Sequence, residues 1–359
     1  MRAVVCRHHR LVCEDMNDPV PQAGQVLVGT LACGICGSDL HALDHLPELA
    51  ALNAQSGSGL SIDADRDMVL GHEFCGELLE HGPRASKRLR PGARVVAMPY
   101  VHTADGMEFI GFSNRLPGGF AERLVLQESL LLEVPNGLPT ELAALVEPFA
   151  VGTHAVAQAA PPPGCVALVV GCGPIGLAVI AALRIAKVAP IIACDLSAAR
   201  RRLAERMGAD IVVDPAMVSP HAYWEALDVP ATLASLGAAQ LSGRSLREAA
   251  VFECVGTPGM LQALIANVPP TSRVTVVGVC MTEDRIQPAL AIQKQLRFEF
   301  VFAYTPSEFA ATLHRLAEGS IDAAPLVSST VGLSGVEGAF AALRGADGPV
   351  KILVDPRRP

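Results

Sequence analysis

The sequence predicts an α/β protein in two parts: a compact, mostly β domain, then a doubly wound parallel sheet, with the chain finally returning to the first part. Three observations lead there. A length of 359 residues suits about two domains of roughly 150 residues each. The opening third consists of short β-like runs separated by Gly and Pro, the texture of a mostly β domain. From about Glu147 onward, apolar runs of strand length alternate with helical stretches, the signature of a parallel sheet covered on both faces. The expected divisions are residues 1–149, 150–299 and 300–359.

The elements follow in order. Strands are expected at 25–31, 76–80, 93–98 and 121–125. Pro161, Pro162, Pro163 and Gly164 form a stiff turn ahead of a strand at Val166–Val170. A helix at 175–187, a strand at Ile191–Cys194, a helix at 197–207 and a strand at Ile211–Val213 come next. Residues 229–247 read as helix and loop. A strand at 250–254, a helix at 259–267 and a strand at 273–277 continue the alternation. Helices at 307–318 and 335–343 and a strand at 350–354 close the chain.

Composition narrows the function. Hydrophobic residues make up 50% and charged residues 18%, which excludes extensive disorder. Acidic residues outnumber basic ones, 36 to 28, so nucleic acid, which needs a basic face, is not the expected partner. The most apolar stretch, 175–192, contains Arg184, Lys187 and Pro190 and fails as a membrane span of about 20 apolar residues. The basic residues among the first ten precede no apolar run, so no secretory signal is expected. Ten cysteines at irregular spacing point to reduced thiols in the cytoplasm, and all but Cys36 read mostly as small packing residues.

Gly171, Gly173 and Gly176 form G-x-G-x-x-G between the strand Val166–Val170 and a helical stretch. The first Gly reverses the chain, the second lets the backbone approach a pyrophosphate, and the third lets helix and strand pack closely. The pattern by itself also fits an ordinary strand-to-helix turn. Asp195, at the end of the next strand, adds the acid that accepts from ribose hydroxyls and repels a 2'-phosphate, so NAD is expected rather than NADP. Arg200 and Arg201 qualify this: each either receives that phosphate or belongs to a solvated helix face.

A second cluster places Cys33, Cys36, Ser38, Asp39 and His41 close together, with His72 and Glu73 further on. Cys33 and Cys36 alone would be a redox pair or half of a structural zinc site, but no second Cys-x-x-Cys exists. Five segments together resemble the zinc-dependent medium-chain dehydrogenase family of alcohol, sorbitol and threonine dehydrogenases. They are Cys36-Gly37-Ser38-Asp39-Leu40-His41, Gly71-His72-Glu73 with Gly76, Gly118-Gly119-Phe120-Ala121-Glu122, Glu147-Pro148, and the glycine loop with Asp195.

The resemblance implies a GroES-like first domain, a Rossmann nucleotide domain, and an active site in the cleft between them. Cys36 and His72 match the family's catalytic zinc ligands; Glu147 falls at the third ligand position, or else is a helix N-terminal acid before Pro148, and Glu73 is the other candidate. Asp39 matches the carboxylate that orients His72, or else stabilises the turn. Ser38 matches the hydroxyl that takes the alcohol proton. His41 is either the end of a relay to solvent or a surface histidine. Pro174 accompanies the glycines at the cofactor, Val151 and Ile175 either back the nicotinamide or are ordinary core residues, and Lys351 either reaches the pyrophosphate or is solvated.

The reading is a zinc- and NAD-dependent oxidoreductase acting on a secondary alcohol, polyol or related hydroxyl compound, assembled as a dimer or tetramer. A zinc-free quinone or enoyl reductase of the same superfamily and a non-catalytic redox sensor are the alternatives. Two departures from the family pattern stand out. Residues 98–119 contain no Cys, so one catalytic zinc and no structural zinc are expected. The separation of Cys36 from His72 is long, with the excess at 47–67: an apolar helix at 47–54, a Ser/Gly stretch at 55–59, then Asp63, Asp65 and Asp67. That excess is expected to be a lid, a pocket element or a surface excursion.

Overall fold

The computed structural model describes residues 1 to 359 except Gly59, Ser61, Asn136 and Ala346. The chain divides into two compact units, Met1–Glu147 with Phe309–Pro359, and Pro148–Glu308.

In the first unit the central strand is Gln25–Gly34, whose alternating buried positions fit a strand with one face on the core. Its antiparallel neighbours are Glu73–His81 and Arg123–Gln127. The sheet extends through Arg94–Ala97 to Leu131–Glu133 on one side, and through Lys351–Val354 to Val327–Val331 on the other. A smaller sheet joins Arg2–Arg7 to Arg10–Asp15 and Met68–Val69. Phe120, Leu124, Leu126, Leu78 and Phe340 are among the fully buried side chains of the shared core. The strand from Gln25 runs three residues beyond its expected end because Cys33 and Gly34 pair on both sides, with Phe74 and Glu73 and with Val354 and Leu353.

The first unit's long helix is Gly37–Ser56, which absorbs the apolar helix expected at 47–54. It is kinked at His45, whose φ of −134° is not helical, two residues before Pro47. Proline has no N–H for the carbonyl four residues back, Leu43, and that oxygen lies instead 2.7 Å from His9 Nδ1. The helix stops at Gly57, whose φ of 65° is the left-handed conformation glycine adopts at no steric cost. Of the expected Ser/Gly stretch, Gln55 and Ser56 are helical and Gly59 lies outside the described residues.

The second unit is a six-stranded, wholly parallel sheet. Its order is Ile211–Val213, Ile191–Cys194, Val166–Val170, Ala249–Glu253, Arg273–Val276, Arg297–Phe300. In chain order this is 3-2-1-4-5-6, two mononucleotide-binding halves meeting beside the first strand, where dinucleotides bind. The apolar runs read from the sequence are buried on both faces: Val166, Leu168, Ile192 and Val251 are all inaccessible to solvent.

Candidate functional site

The first unit collects its reactive side chains where the strand Gln25–Gly34 ends and the helix Gly37–Ser56 begins. Cys36 is the residue that caps that helix, so its thiol sits at the positive end of the helix dipole. Asp39, one turn in and fully buried, accepts from the Cys36 backbone N–H at 2.9 Å and from Gly71 N–H at 3.3 Å. Its Oδ1 also lies 3.4 Å from His72 Nδ1. Asp39 therefore holds the turn and faces the imidazole at once. The other ring nitrogen, Nε2, is 3.4 Å from Ser38 Oγ.

Cys36, His72 and Glu73 each bring one donor atom within 4.8 Å of the others. Thiolate, imidazole and carboxylate with the histidine's far nitrogen turned to a carboxylate are a sound donor set for zinc with a position left open. Burial lowers the His72 pKa, but Asp39 and Cys36 outweigh it and hold the imidazole well above its ordinary value. That is the field a cation needs. Glu147, buried in the first turn of the helix Val146–Ala159, belongs to the same electrostatic environment. After burial, its charge is the next influence raising the Tyr100 pKa, and it also contributes to the rise at Lys351.

Lys351 is the correction to the sequence reading. It is neither solvated nor free for a pyrophosphate: it is 1% exposed, and Nζ donates to both Glu73 oxygens at 2.8 and 2.7 Å and to Ile35 O at 2.9 Å. Burial pulls its pKa down, but Glu73 and Cys36 carry it above the ordinary lysine value. Gly34 makes this pair possible, because a Cβ there would collide with the Glu73 carboxylate. The available signal was a lone lysine inside the apolar run from Val350 to Val354.

Phe109 and Phe112, which sequence reasoning also missed, pack on the other side of His72, with ring centroids 5.9 and 5.3 Å from the imidazole. Tyr100 meets Phe109 edge-on at 4.9 Å. His41 sits half-buried further along the helix, its pKa lowered by burial and by His45. No hydrogen bond joins it to Ser38 among the described residues. Cys6, Cys33, Cys75, Cys165, Cys172 and Cys194 are buried as expected of packing residues, whereas Cys13 is exposed.

In the second unit the glycine loop has the geometry its motif requires. Gly171 has φ +91°, and a Cβ on Gly176 would collide with the Gly171 carbonyl. A Cβ on Gly173 would meet nothing within 4 Å, so its backbone is open to a ligand. Pro174 and Ile175 then begin the helix Pro174–Ile185, and a helix N-terminus is where free backbone amides can receive an anion. Asp195 Oδ2 accepts from Cys172 N–H and Oδ1 from Ser197 N–H, both at 2.8 Å, so the carboxylate is set against the loop. Arg201 is not on a solvated face: it donates to the Asp195 and Leu196 carbonyls and pairs with Asp214 at 2.9 Å. Arg200 Nε is buried without a hydrogen-bond partner. Val151 lies half-buried in the helix Val146–Ala159.

Residues 22–136 match the alcohol dehydrogenase GroES-like domain family and residues 174–318 the zinc-binding dehydrogenase family. The chain is 33% identical over 353 residues to (R,R)-butanediol dehydrogenase of Bacillus subtilis (strain 168), covering 96% of each. It belongs to the zinc-type medium-chain dehydrogenases. Sorbitol dehydrogenase of Bacillus subtilis (strain 168) is 26% identical over 374 residues, covering 100% of this chain and 98% of that one. The crystal structure of 2R,3R-butanediol dehydrogenase from Bacillus subtilis aligns over 99% of both chains, with a TM-score of 0.77 and 30% identity. As a member of this family the protein is an oxidoreductase that moves a hydride between an alcohol and a nicotinamide cofactor, forming a carbonyl product. Among the described residues, no helix is long and apolar enough to cross a membrane.

Proposed function

We propose that this dehydrogenase oxidises a secondary alcohol carrying further hydroxyls, of the vicinal-diol or polyol kind, to the ketone with NAD as acceptor. The convergence of Cys36, His72 and Glu73 beside Ser38 carries the reading. The names of the butanediol and sorbitol dehydrogenase relatives support the substrate class.

Cys36 and His72 hold one zinc per chain, with Glu147 or Glu73 as the third protein ligand. When bound, zinc supplies Lewis acidity toward the substrate oxygen. The chain's own groups do the rest. Asp39 keeps the His72 proton on Nδ1 and so presents Nε2 to the metal side. Lys351 donates to both Glu73 oxygens and fixes the direction of that side chain. Ser38, beside His72 Nε2, takes the alcohol proton as it hands on its own hydroxyl proton, and His41, whose pKa is lowered by burial and by His45 and which therefore keeps a ring nitrogen able to accept, passes a proton toward solvent. Residues 1–149 and 300–359 carry this chemistry.

Residues 150–299 bind the cofactor. Gly171, Gly173, Pro174 and Gly176 receive the pyrophosphate, while Val151 and Ile175 back the nicotinamide. Asp195 takes the ribose hydroxyls and with them the preference for NAD, and Arg200 lies beside the adenosine end. The strand Arg297–Phe300 ends its sheet unpaired on one side, with Phe300 and Phe302 exposed by 69% and 82%, which supports a homo-oligomer formed there. Ten free thiols suit the cytoplasm.

The test is a panel of primary, secondary, vicinal-diol and polyol alcohols with NAD and NADP in parallel, together with metal analysis. Turnover confined to quinones or enones without bound metal would favour the reductase reading. Nucleotide binding without turnover of any substrate would favour the sensor.

A further inference from the structure

Residues 62–67, which return toward His72 in the sequence, are tied to the first unit. After the long helix ends, residues 62–67 return along the first unit, with Ile62 and Ala64 packed against its core. Asp67 pairs with Arg7, whose guanidinium also holds Glu14. A single amide side chain secures the rest. Asn114 Oδ1 accepts from Asp63 N–H at 2.8 Å, and the two hydrogens of its Nδ2 are shared among the carbonyls of Asp63, Arg66 and Asp67, 3.0, 3.1 and 3.2 Å away. The bonds engage both ends of the amide, and only an amide offers donor and acceptor in this arrangement.

Asn114 ends a tight turn that lies on the metal site. Gly111 is packed so closely on Gly71 that a Cβ would come within 2.9 Å of its backbone. Phe112 N–H bonds Phe109 O at 3.0 Å and places its ring on His72. Ser113, 1% exposed, donates to Glu108 at 2.7 Å and accepts from Arg115 and Leu116 N–H at 3.0 and 3.1 Å. From the 62–67 arm to the imidazole the linkage is continuous: backbone to Asn114, Asn114 through the braced Ser113 to Phe112, and Phe112 to His72.

We propose that Asn114 is a positioning residue for substrate selection. By tying residues 63–67 to the 109–114 turn, it fixes Phe112 beside His72 and so sets the apolar wall against which the alcohol's carbon substituents pack. The inserted arm is then a fixed buttress of the pocket rather than a moving lid. This rests on the alcohol dehydrogenase reading above.

The experiment compares Asn114→Ala, Asn114→Gln, Phe112→Ala and the Asn114→Ala/Phe112→Ala pair in the full-length protein. Small and bulky secondary alcohols serve as probes, and backbone hydrogen exchange is measured alongside. Asn114→Ala should raise the alcohol KM about threefold to tenfold with kcat within about twofold, because ground-state packing is lost and the reacting groups are untouched. Discrimination between small and bulky alcohols should narrow, and the KM for NAD and the zinc content should stay the same. Asn114→Gln, with the amide displaced by one methylene, should fall between, and it carries the test if the alanine variant folds poorly. The double variant should be no worse than Phe112→Ala alone, the mark of residues acting through one contact. Faster exchange should appear at both 62–67 and 109–113. Additive effects in the double variant, or faster exchange at 62–67 with 109–113 and the alcohol KM unchanged, would overturn the proposal. If the unaltered protein turns over no alcohol, the activity reading fails, and the exchange pattern alone still decides whether Asn114 positions the Phe112 turn.

Discussion

Replacing Lys351 by Met removes the ammonium while keeping an unbranched stem of similar volume. Two bonds to Glu73 and one to the Ile35 carbonyl are lost in a place where the lysine and glutamate side chains are 1% and 0% exposed. The pair is not worth much relative to an apolar substitute, but half of it left behind is costly: an uncompensated buried charge destabilises by about 3–5 kcal/mol. Against a total stability of about 5–15 kcal/mol, that is a large share. The expected outcome is a loss of this size in denaturant unfolding of the metal-stripped protein, with most of it recovered by adding Glu73→Gln. Because Glu73 holds the lysine pKa above its ordinary value, the loss should be constant through the neutral range and shrink only in strong alkali, where Lys351 deprotonates in the unaltered protein as well. A loss under about 1 kcal/mol, or no recovery in the double variant, would refute the claim that Lys351 neutralises Glu73.

Four further outcomes are expected. Cys36→Ser should abolish turnover and lower zinc content while leaving NAD binding, measured by nicotinamide fluorescence titration, nearly unchanged. Asp195→Ala should narrow or reverse the NAD preference by about tenfold or more, since each charged hydrogen bond is worth ~1.5–3 kcal/mol; native preference for NADP would show that Arg200 governs the choice instead. Glu128 is buried, and although burial raises its pKa, the Ser86 and Lys87 N–H groups it accepts from hold it below the ordinary value. Its stabilisation is therefore present above the unfolded value of about 4.3 and is lost as pH falls through the folded one. Glu128→Gln should cost about 1–3 kcal/mol at neutral pH by chemical denaturation, with the gap closing in acid. Phe302→Glu should shift the protein toward monomer in sedimentation velocity; an unchanged assembly would place the interface elsewhere.

Much of this protein was legible locally. The alternation of strand and helix after Glu147, the glycine loop and Asp195 lie close in sequence, and their physics is local: backbone turn, helix N-terminus and the next strand's end. The strands Val166–Val170, Ile191–Cys194 and Ile211–Val213 stand where their apolar runs ended. Cys36, Ser38 and Asp39 likewise share one turn, so the sequence alone placed thiol, hydroxyl and carboxylate together. The long helix was only half legible, because Pro47 argues for a break that the fold reduces to a kink by giving the Leu43 carbonyl a new partner.

What only the tertiary structure decided are the partners of charged and aromatic groups across long separations. Lys351 meets Glu73 across 278 positions because sheet register brings their strands to either side of Gly34. Loop contacts of the same long-range kind join the Phe112 turn to His72 and Asn114 to the 63–67 arm. A periodicity shows which face of an element is buried, but not which element will cover it. A buried ion pair, set by register between distant strands, leaves only a charge where an apolar residue was expected.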